Sequence, residues 1–234
     1  MIKEELVRRS PIRLFEKSIR GGLESGELGI IASQRGVGKT SVLVQLALDR
    51  LLQGKKVIHV SFAKHRQNVF QWYEDIFAEF LSSKNLEAED EVRDGIVKNR
   101  VLMNFSQSGM TPDMVTKSLR AIIVDGGFSA DTVIVDGFDF SAADRDYIAK
   151  VKAFAGETGL SLWFNCTVNG DEPRYDEKNM PTMVGAFADL IDVAVVLEPR
   201  GDHVELSVSK NRESQGDGVP ATRLDPKTLL ILEG

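Results

Sequence analysis

Apolar runs and helix-like stripes alternate along the first two thirds of the chain. Runs of apolar residues predict buried strands at residues 28–32, 57–62, 101–105, 132–135 and 160–165. Apolar side chains at three- and four-residue spacing predict helices at residues 12–19, 41–53, 68–81, 112–124 and 142–154. Strands that alternate with helices are typical of a mainly parallel sheet with helices packed on its faces. The pattern therefore predicts an α/β fold.

The pattern changes after residue 191. Short apolar segments at residues 193–197, 204–208 and 228–232 are joined by turns that leave no room for helices. They predict an antiparallel β extension at the C-terminal end. Two polar stretches, residues 82–94 and 169–182, are predicted to be surface excursions. A chain of 234 residues can bury one full core, and we expect a single domain over residues 1–234.

Composition and charge narrow the class of protein. The formal net charge of −6 argues against a protein whose whole surface binds nucleic acid, although it leaves room for a local basic loop. The single cysteine, Cys166, cannot form an internal disulfide, and the three histidines are scattered without metal-ligand spacing. The N-terminus lacks the apolar core of a signal peptide, and no apolar run approaches the roughly 20 residues that cross a bilayer. We expect a cytoplasmic protein with no membrane segment.

The segment Ser33-Gln-Arg-Gly-Val-Gly-Lys-Thr40 joins the first predicted strand to the following helix. Strand, glycine-bearing loop, Lys-Thr and helix form the phosphate-binding loop, or Walker A, arrangement of P-loop NTPases, here with Ser33 at the position of the first glycine. Small loop residues allow backbone N–H groups to turn towards a phosphate, and the helix N-terminus adds partial positive charge. Lys39 would reach the terminal phosphates and the Thr40 hydroxyl would ligate Mg²⁺. The predicted residues for binding ATP are Ser33, Gln34, Arg35, Gly36, Val37, Gly38, Lys39, Thr40 and Ser41.

A carboxylate ends the fourth predicted strand, in the sequence Val133-Ile-Val-Asp136. This has the Walker B form, which predicts that Asp136 lies beside the phosphate loop and holds Mg²⁺ through water. Asp139, three residues later, is either a second acidic group of the site or a loop carboxylate, and we favour the loop.

Two segments carry a resemblance to a known family. Residues 19–41, followed by residues 51–61, resemble the ATPase core of the RecA-like superfamily, and most of all the DnaB-type replicative helicases and the KaiC group. Residues 204–212, with Gly216 and Gly218 after them, are similar to the Lys-x-Arg hairpin of the helicase branch. The resemblance implies a homo-oligomer in which Lys210 and Arg212 act on the ATP of a neighbouring subunit. Their two-residue spacing on a predicted strand points both side chains the same way; a solvated strand edge is the alternative.

This chain also departs from the family pattern. A catalytic Glu usually follows the second strand, whereas this chain has Ser61-Phe-Ala-Lys64. A lysine cannot act as that base at neutral pH without a large pKa shift. Thr167 stands nearest to the position of the family's phosphate-sensing Gln. We therefore expect an ATP-binding domain with weak or partner-stimulated ATPase activity, in which Asp139 and Glu74 are the first substitutes for the base.

Two other functions remain open. The alternative to a weak ATPase is a nucleotide-binding regulator or scaffold that no longer hydrolyses ATP, while a small-molecule kinase would need an acceptor-site base and lid arginines that we do not find. Single-stranded nucleic acid is a further candidate partner, because the family's loop after the fifth strand contacts it. Here that loop, residues 168–183, contains Arg174, Tyr175 and Lys178. The loop also contains four acidic residues, at positions 171, 172, 176 and 177, which would repel the DNA backbone. We therefore favour a protein partner over DNA.

Overall fold

The computed structural model describes residues 2–62, 67–87, 90–105, 112–168, 174–215 and 221–232. The helices in these ranges are α1 (Ile2–Arg8), α2 (Ile12–Ser18), α3 (Lys39–Leu52), α4 (Gln67–Lys84), α5 (Asp90–Lys98), α6 (Pro112–Arg120) and α7 (Arg145–Thr158). The strands are β1 (Leu28–Ser33), β2 (Val57–Ser61), β3 (Arg100–Asn104), β4 (Thr132–Asp136), β5 (Ser161–Thr167), β6 (Val193–Arg200), β7 (His203–Asn211), β8 (Ser214–Gln215), β9 (Thr222–Leu224) and β10 (Ile231–Leu232). A π-helical turn, Ala121–Asp125, follows α6, and Phe140–Ala142 and Thr182–Leu190 are 3₁₀-helical.

The described strands form one mixed sheet in the order β10-β9-β7-β6-β1-β5-β4-β2-β3, with β8 paired to β7. The six strands from β6 to β3 in that order are parallel, and β7, β9 and β10 continue the sheet in antiparallel fashion. The predicted α/β class, with a C-terminal antiparallel extension, is confirmed. Because the carboxyl ends of parallel strands share one edge, the ends of β1, β4, β5 and β2 meet there.

The prediction that the antiparallel extension begins at residue 193 is wrong. β6 pairs in parallel with β1, with Gly29 opposite Val193, and only β7 reverses direction. The 3₁₀ segment Thr182–Leu190 lies in the connection after β5, which returns the chain to the opposite edge of the sheet before β6 begins. The predicted strand at residues 228–232 is also corrected, because only Ile231–Leu232 is extended and Thr222–Leu224 supplies its partner.

Part of the predicted surface excursion at residues 82–94 is a helix. α5 begins at Asp90, and its Val92 and Ile96 side chains are buried four residues apart on one face. Charged residues at five of the seven remaining positions conceal this short stripe in the sequence. Of the second excursion, residues 169–173 lie outside the described part of the chain.

Two hydrophobic layers enclose the sheet. One face packs against α2, α3, α4 and α5, and the other packs against α6, α7 and the 3₁₀ segment Thr182–Leu190. The central strand β1 is buried along its whole length. Gly29 is required there, since a Cβ atom at this position would lie 2.5 Å from the Trp163 ring. Among the described residues, none of the helices combines the length and the apolar composition that a membrane span requires.

Candidate nucleotide-binding site

The phosphate loop leaves β1 at the carboxyl edge of the sheet and enters α3 at Lys39. Gly36 and Gly38 have φ angles of +84° and +117°, which residues with a side chain rarely adopt, so both turns of the loop require glycine. Leu224 of β9 packs against Gly38 from the side, because a Cβ atom on Gly38 would lie 2.7 Å from the Leu224 Cδ2 atom. The C-terminal strands therefore support the loop.

Lys39 is buried and points into the loop. Its Nζ atom donates to the Ser33 carbonyl at 3.0 Å, the Ser33 Oγ atom at 3.2 Å and the Gln34 carbonyl at 2.8 Å. Burial lowers the pKa of Lys39 to about 8, although Asp136 and the neighbouring Cys166 act in the opposite direction. Neutral oxygens of the loop thus take the place of water around the ammonium. An anionic oxygen of a ligand in their place would interact more favourably with the positive charge.

Asp136 ends β4 and lies next to the first turn of α3. The Thr40 hydroxyl donates to its carboxylate at 3.2 Å, and the Asn165 side-chain amide donates to its Oδ1 atom. Burial raises the pKa of Asp136, while the hydrogen bond from Thr40, the charge of Lys39 and the hydrogen bond from Asn165 oppose that rise. A hydroxyl and a carboxylate that adjoin a phosphate site are ligands that suit Mg²⁺, which usually takes few protein ligands and keeps several waters.

Asn165 is a site residue that the sequence reasoning missed. It lies on β5, between β1 and β4, and its Oδ1 atom also accepts from the Gly137 backbone N–H at 2.7 Å. It therefore fixes both the Asp136 carboxylate and the turn that follows it. The signal in the sequence is an asparagine within the otherwise apolar segment at residues 162–166, near the end of β5 that reaches the carboxyl edge.

The candidate substitutes for a catalytic base lie apart from this cluster. Lys64 is outside the described residues, and β2 ends at Ser61, whose backbone is in register with Asp136. Asp139 is exposed and accepts from the Ser141 backbone N–H at 3.0 Å and from its hydroxyl at 2.6 Å, which supports the loop interpretation. Glu74 is partly buried on α4, near Arg100. Thr167 is half-buried at the end of β5, opposite Ser33.

Lys210 and Arg212 lie at the opposite edge of the sheet from the phosphate loop. Glu27 and Asp192 precede β1 and β6, and the Arg212 backbone N–H donates to the Asp192 carbonyl there. The six residues of β1 separate this edge from the loop by roughly 20 Å.

The expectation that Lys210 and Arg212 lie on one strand with both side chains on the same face is wrong. β7 ends at Asn211, and Arg212 has a φ of +58° in the following turn. Lys210 donates to the carbonyls of Ala188 and Ile191. Arg212 makes a two-pronged ion pair with Glu27, at 2.7 and 2.9 Å, and also donates to the carbonyls of Ile19 and Gly22.

The segment after residue 173 is folded against the carboxyl edge. Tyr175 forms a β-bridge with Pro181, and Asp176 accepts from the backbone N–H groups of Lys178 and Met180, both at 2.9 Å. Burial, with smaller contributions from the nearby Glu198 and Cys166, raises the pKa of Tyr175 to about 12. One of the four acidic side chains thus stabilises the turn, and those at positions 171 and 172 lie outside the described residues.

Two cavities flank the start of α4. One, of about 390 Å³, lies between α4 and residues 227–229, with Trp72, Asp75 and Leu229 among its lining residues. Gln45 of α3 holds this turn through the Leu229 carbonyl and the Ile231 N–H, both at 2.9 Å. The other cavity, of about 730 Å³, is lined mainly by apolar residues of α4 and β3, and it reaches Ser61.

Comparison with known proteins gave limited similarity. No family model matches the chain. A curated relative, the DNA repair protein RadA of Aquifex aeolicus (strain VF5), is 38% identical over 60 residues. The match covers 25% of this chain and 13% of that protein. This similarity and the mainly parallel sheet agree with a RecA-like fold, and neither favours the DnaB or KaiC branch over others.

Proposed function

We propose that this chain is an ATP-binding, RecA-like P-loop domain that takes Mg²⁺-ATP at the carboxyl edge of β1 and β4. One observation carries the proposal. Thr40 and Asp136 are 96 residues apart in the chain, yet the hydroxyl contacts the carboxylate directly beside the buried Lys39. A chance Gly-x-Gly-Lys-Thr sequence would not bring a buried carboxylate to this position.

Each part of the site has a separate task. The loop N–H groups and the α3 N-terminus would bind phosphate oxygens, and Lys39 would exchange its loop carbonyls for the terminal phosphates. Thr40 and Asp136 would hold Mg²⁺, directly and through water, and that ion would neutralise phosphate charge. Asn165 would keep Asp136 oriented for this role through its two hydrogen bonds.

The absent glutamate after β2 argues for slow turnover. We expect the purified protein to hydrolyse ATP well below the ~10 s⁻¹ typical of enzymes, because no carboxylate directly follows β2, where the family's glutamate polarises the attacking water. The measurement is a steady-state ATPase assay with and without single-stranded DNA, which is included because the matched relative is named as a DNA repair protein. Fast unassisted turnover would show that another residue acts as the base.

A nucleotide-responsive regulator or scaffold is the second candidate function. The position of Asp139 favours it, since this carboxylate caps its own turn and is not directed at the Thr40–Asp136 pair. The two candidates separate in the same assay, because only the ATPase should be stimulated by a partner. Both predict an oligomer that responds to nucleotide, which sedimentation with and without Mg²⁺-ATP would measure.

The smaller cavity beside α4 fits the base of the nucleotide. Residues 227–229 line it, and Gln45 of α3, the helix that begins at Lys39, fixes this turn through the Leu229 carbonyl. Its volume falls within the range of small-molecule sites. Trp72 offers an aromatic surface for stacking, and the Asp75 carboxylate offers an acceptor for the exocyclic amine of adenine.

Trp72 provides a spectroscopic test of this position. ATP should change the tryptophan emission of the wild-type protein saturably, and Trp72→Phe should abolish that change. The other tryptophan, Trp163, is enclosed in the core and should not respond. Trp72→Ala should weaken ATP binding about tenfold through lost stacking, yet leave binding of inorganic tripolyphosphate unchanged. An equal loss for both ligands would place the base elsewhere.

A further inference from the structure

The crest of the phosphate loop faces solvent. Gln34, Arg35 and Gly36 are exposed, and a Cβ atom on Gly36 would meet no atom within 4 Å. Lys39, by contrast, is buried, and its Nζ atom contacts the Ser33 and Gln34 carbonyls of the same loop. A phosphate held by the loop would therefore be contacted by Lys39 from the protein side and would remain open on the side of Arg35.

Arg35 has no hydrogen bond or ion pair with any residue in the described part of the chain. Several other arginines are engaged: Arg13 pairs with Asp49, Arg145 with Asp189 and Arg212 with Glu27. Arg35 and the buried Lys39 are two positively charged residues of the same loop, four positions apart. Two cations on one loop repel each other, and an anion bound between them would remove that cost.

We propose that Arg35 binds the terminal phosphate of a nucleoside triphosphate bound to its own subunit, and so distinguishes triphosphates from diphosphates. This inference rests on the proposed ATP site. A guanidinium presents paired N–H donors that match two phosphate oxygens, a geometry that lysine cannot reproduce. Arg35 then supplies in cis a cation at the terminal phosphate, while Arg212 is held by Glu27 at the far edge of the sheet.

The test compares Arg35→Gln with Arg8→Gln, which removes another exposed positive charge, on α1. The binding of a non-hydrolysable ATP analogue and of ADP, each with Mg²⁺, is measured by calorimetry. Arg35→Gln should weaken binding of the ATP analogue about tenfold and binding of ADP less than about twofold, because only the triphosphate carries the phosphate that Arg35 contacts. Arg8→Gln should change neither affinity. The affinity of Arg35→Lys for the ATP analogue should lie between those of the wild type and Arg35→Gln.

The outcomes separate the inference from the function on which it rests. If the wild-type protein binds neither nucleotide, the ATP site itself is wrong. If it binds both and Arg35→Gln leaves the preference for triphosphate unchanged, only the role of Arg35 is overturned. A loss that appears only at concentrations where the protein assembles would place Arg35 on a neighbour's ligand and would overturn action in cis. Unchanged thermal unfolding of Arg35→Gln is expected, since the side chain has no described partner.

Discussion

Replacing Lys39 with alanine should weaken the binding of a fluorescent ATP analogue about a hundredfold or more. The ammonium is buried among three loop oxygens at 2.8 to 3.2 Å, and phosphate oxygens would form charge-assisted hydrogen bonds in their place. Fluorescence anisotropy with Mg²⁺ present measures the effect directly. Lys55→Ala, which removes a half-exposed lysine after α3, is the matched control and should bind as the wild type does. Unchanged affinity of Lys39→Ala would show that this loop is not the site.

The pH dependence of ATP binding is an independent test of the role of Lys39. The pKa of Lys39 is lowered to about 8 in the free protein, and only the charged form attracts phosphate. Affinity should therefore hold between pH 6 and 7 and fall as pH rises through about 8, by up to about tenfold per unit. Lys39→Ala should lose this dependence. The Cys166 thiol, whose pKa burial raises to about 12, stays neutral throughout the window.

Replacing Arg212 with alanine should lower the free energy of unfolding by about 3 kcal/mol, a fall in Tm of roughly 10 °C. The guanidinium joins the turn after β7 to the segment before β1 through Glu27 and the carbonyls of Ile19 and Gly22. Both charged side chains are largely buried, with 24% and 15% of their surface exposed. Removal of one partner leaves the Glu27 carboxylate without its counter-charge, which is the main cost.

Arg120→Ala is the control for this prediction. Arg120 makes a two-pronged pair with Glu157 at 2.8 and 2.9 Å, but both side chains are exposed. Its loss should leave the Tm nearly unchanged, because water screens a surface pair. Equal stability of Arg212→Ala and wild type in thermal unfolding would contradict the structural role of Arg212.

This result also decides how a subunit-mixing experiment can be interpreted. Action of Lys210 and Arg212 on a neighbour's ATP stays a prediction, and it would require Arg212 to leave Glu27. Recovery of ATPase activity on mixing Lys39→Ala with Arg212→Ala proteins would support it, provided that Arg212→Ala is assayed well below its own unfolding temperature.

The phosphate loop could be predicted from sequence because its geometry is local. Eight contiguous residues contain the two glycines that adopt positive φ, the lysine and the threonine, and the flanking strand and helix have clear hydrophobic periods. The buried strands of the parallel region were predictable for the same reason. Short or charge-rich elements such as α5 could not be predicted in this way, since two buried residues are too few to show a helical periodicity.

The partners of the site and the sheet order come only from the tertiary structure. Asn165 reaches Asp136 because β5 inserts between β1 and β4, an arrangement that no local pattern encodes. Arg212 meets Glu27 across 185 residues, so its sequence spacing from Lys210 could not reveal where it points. The sequence by itself determined the glycine-bearing turn between β1 and α3, the α/β class and the absence of a glutamate directly after β2. Which side chains surround Asp136 and which edge holds Arg212 depended on strand order, because packing between distant segments selects those contacts.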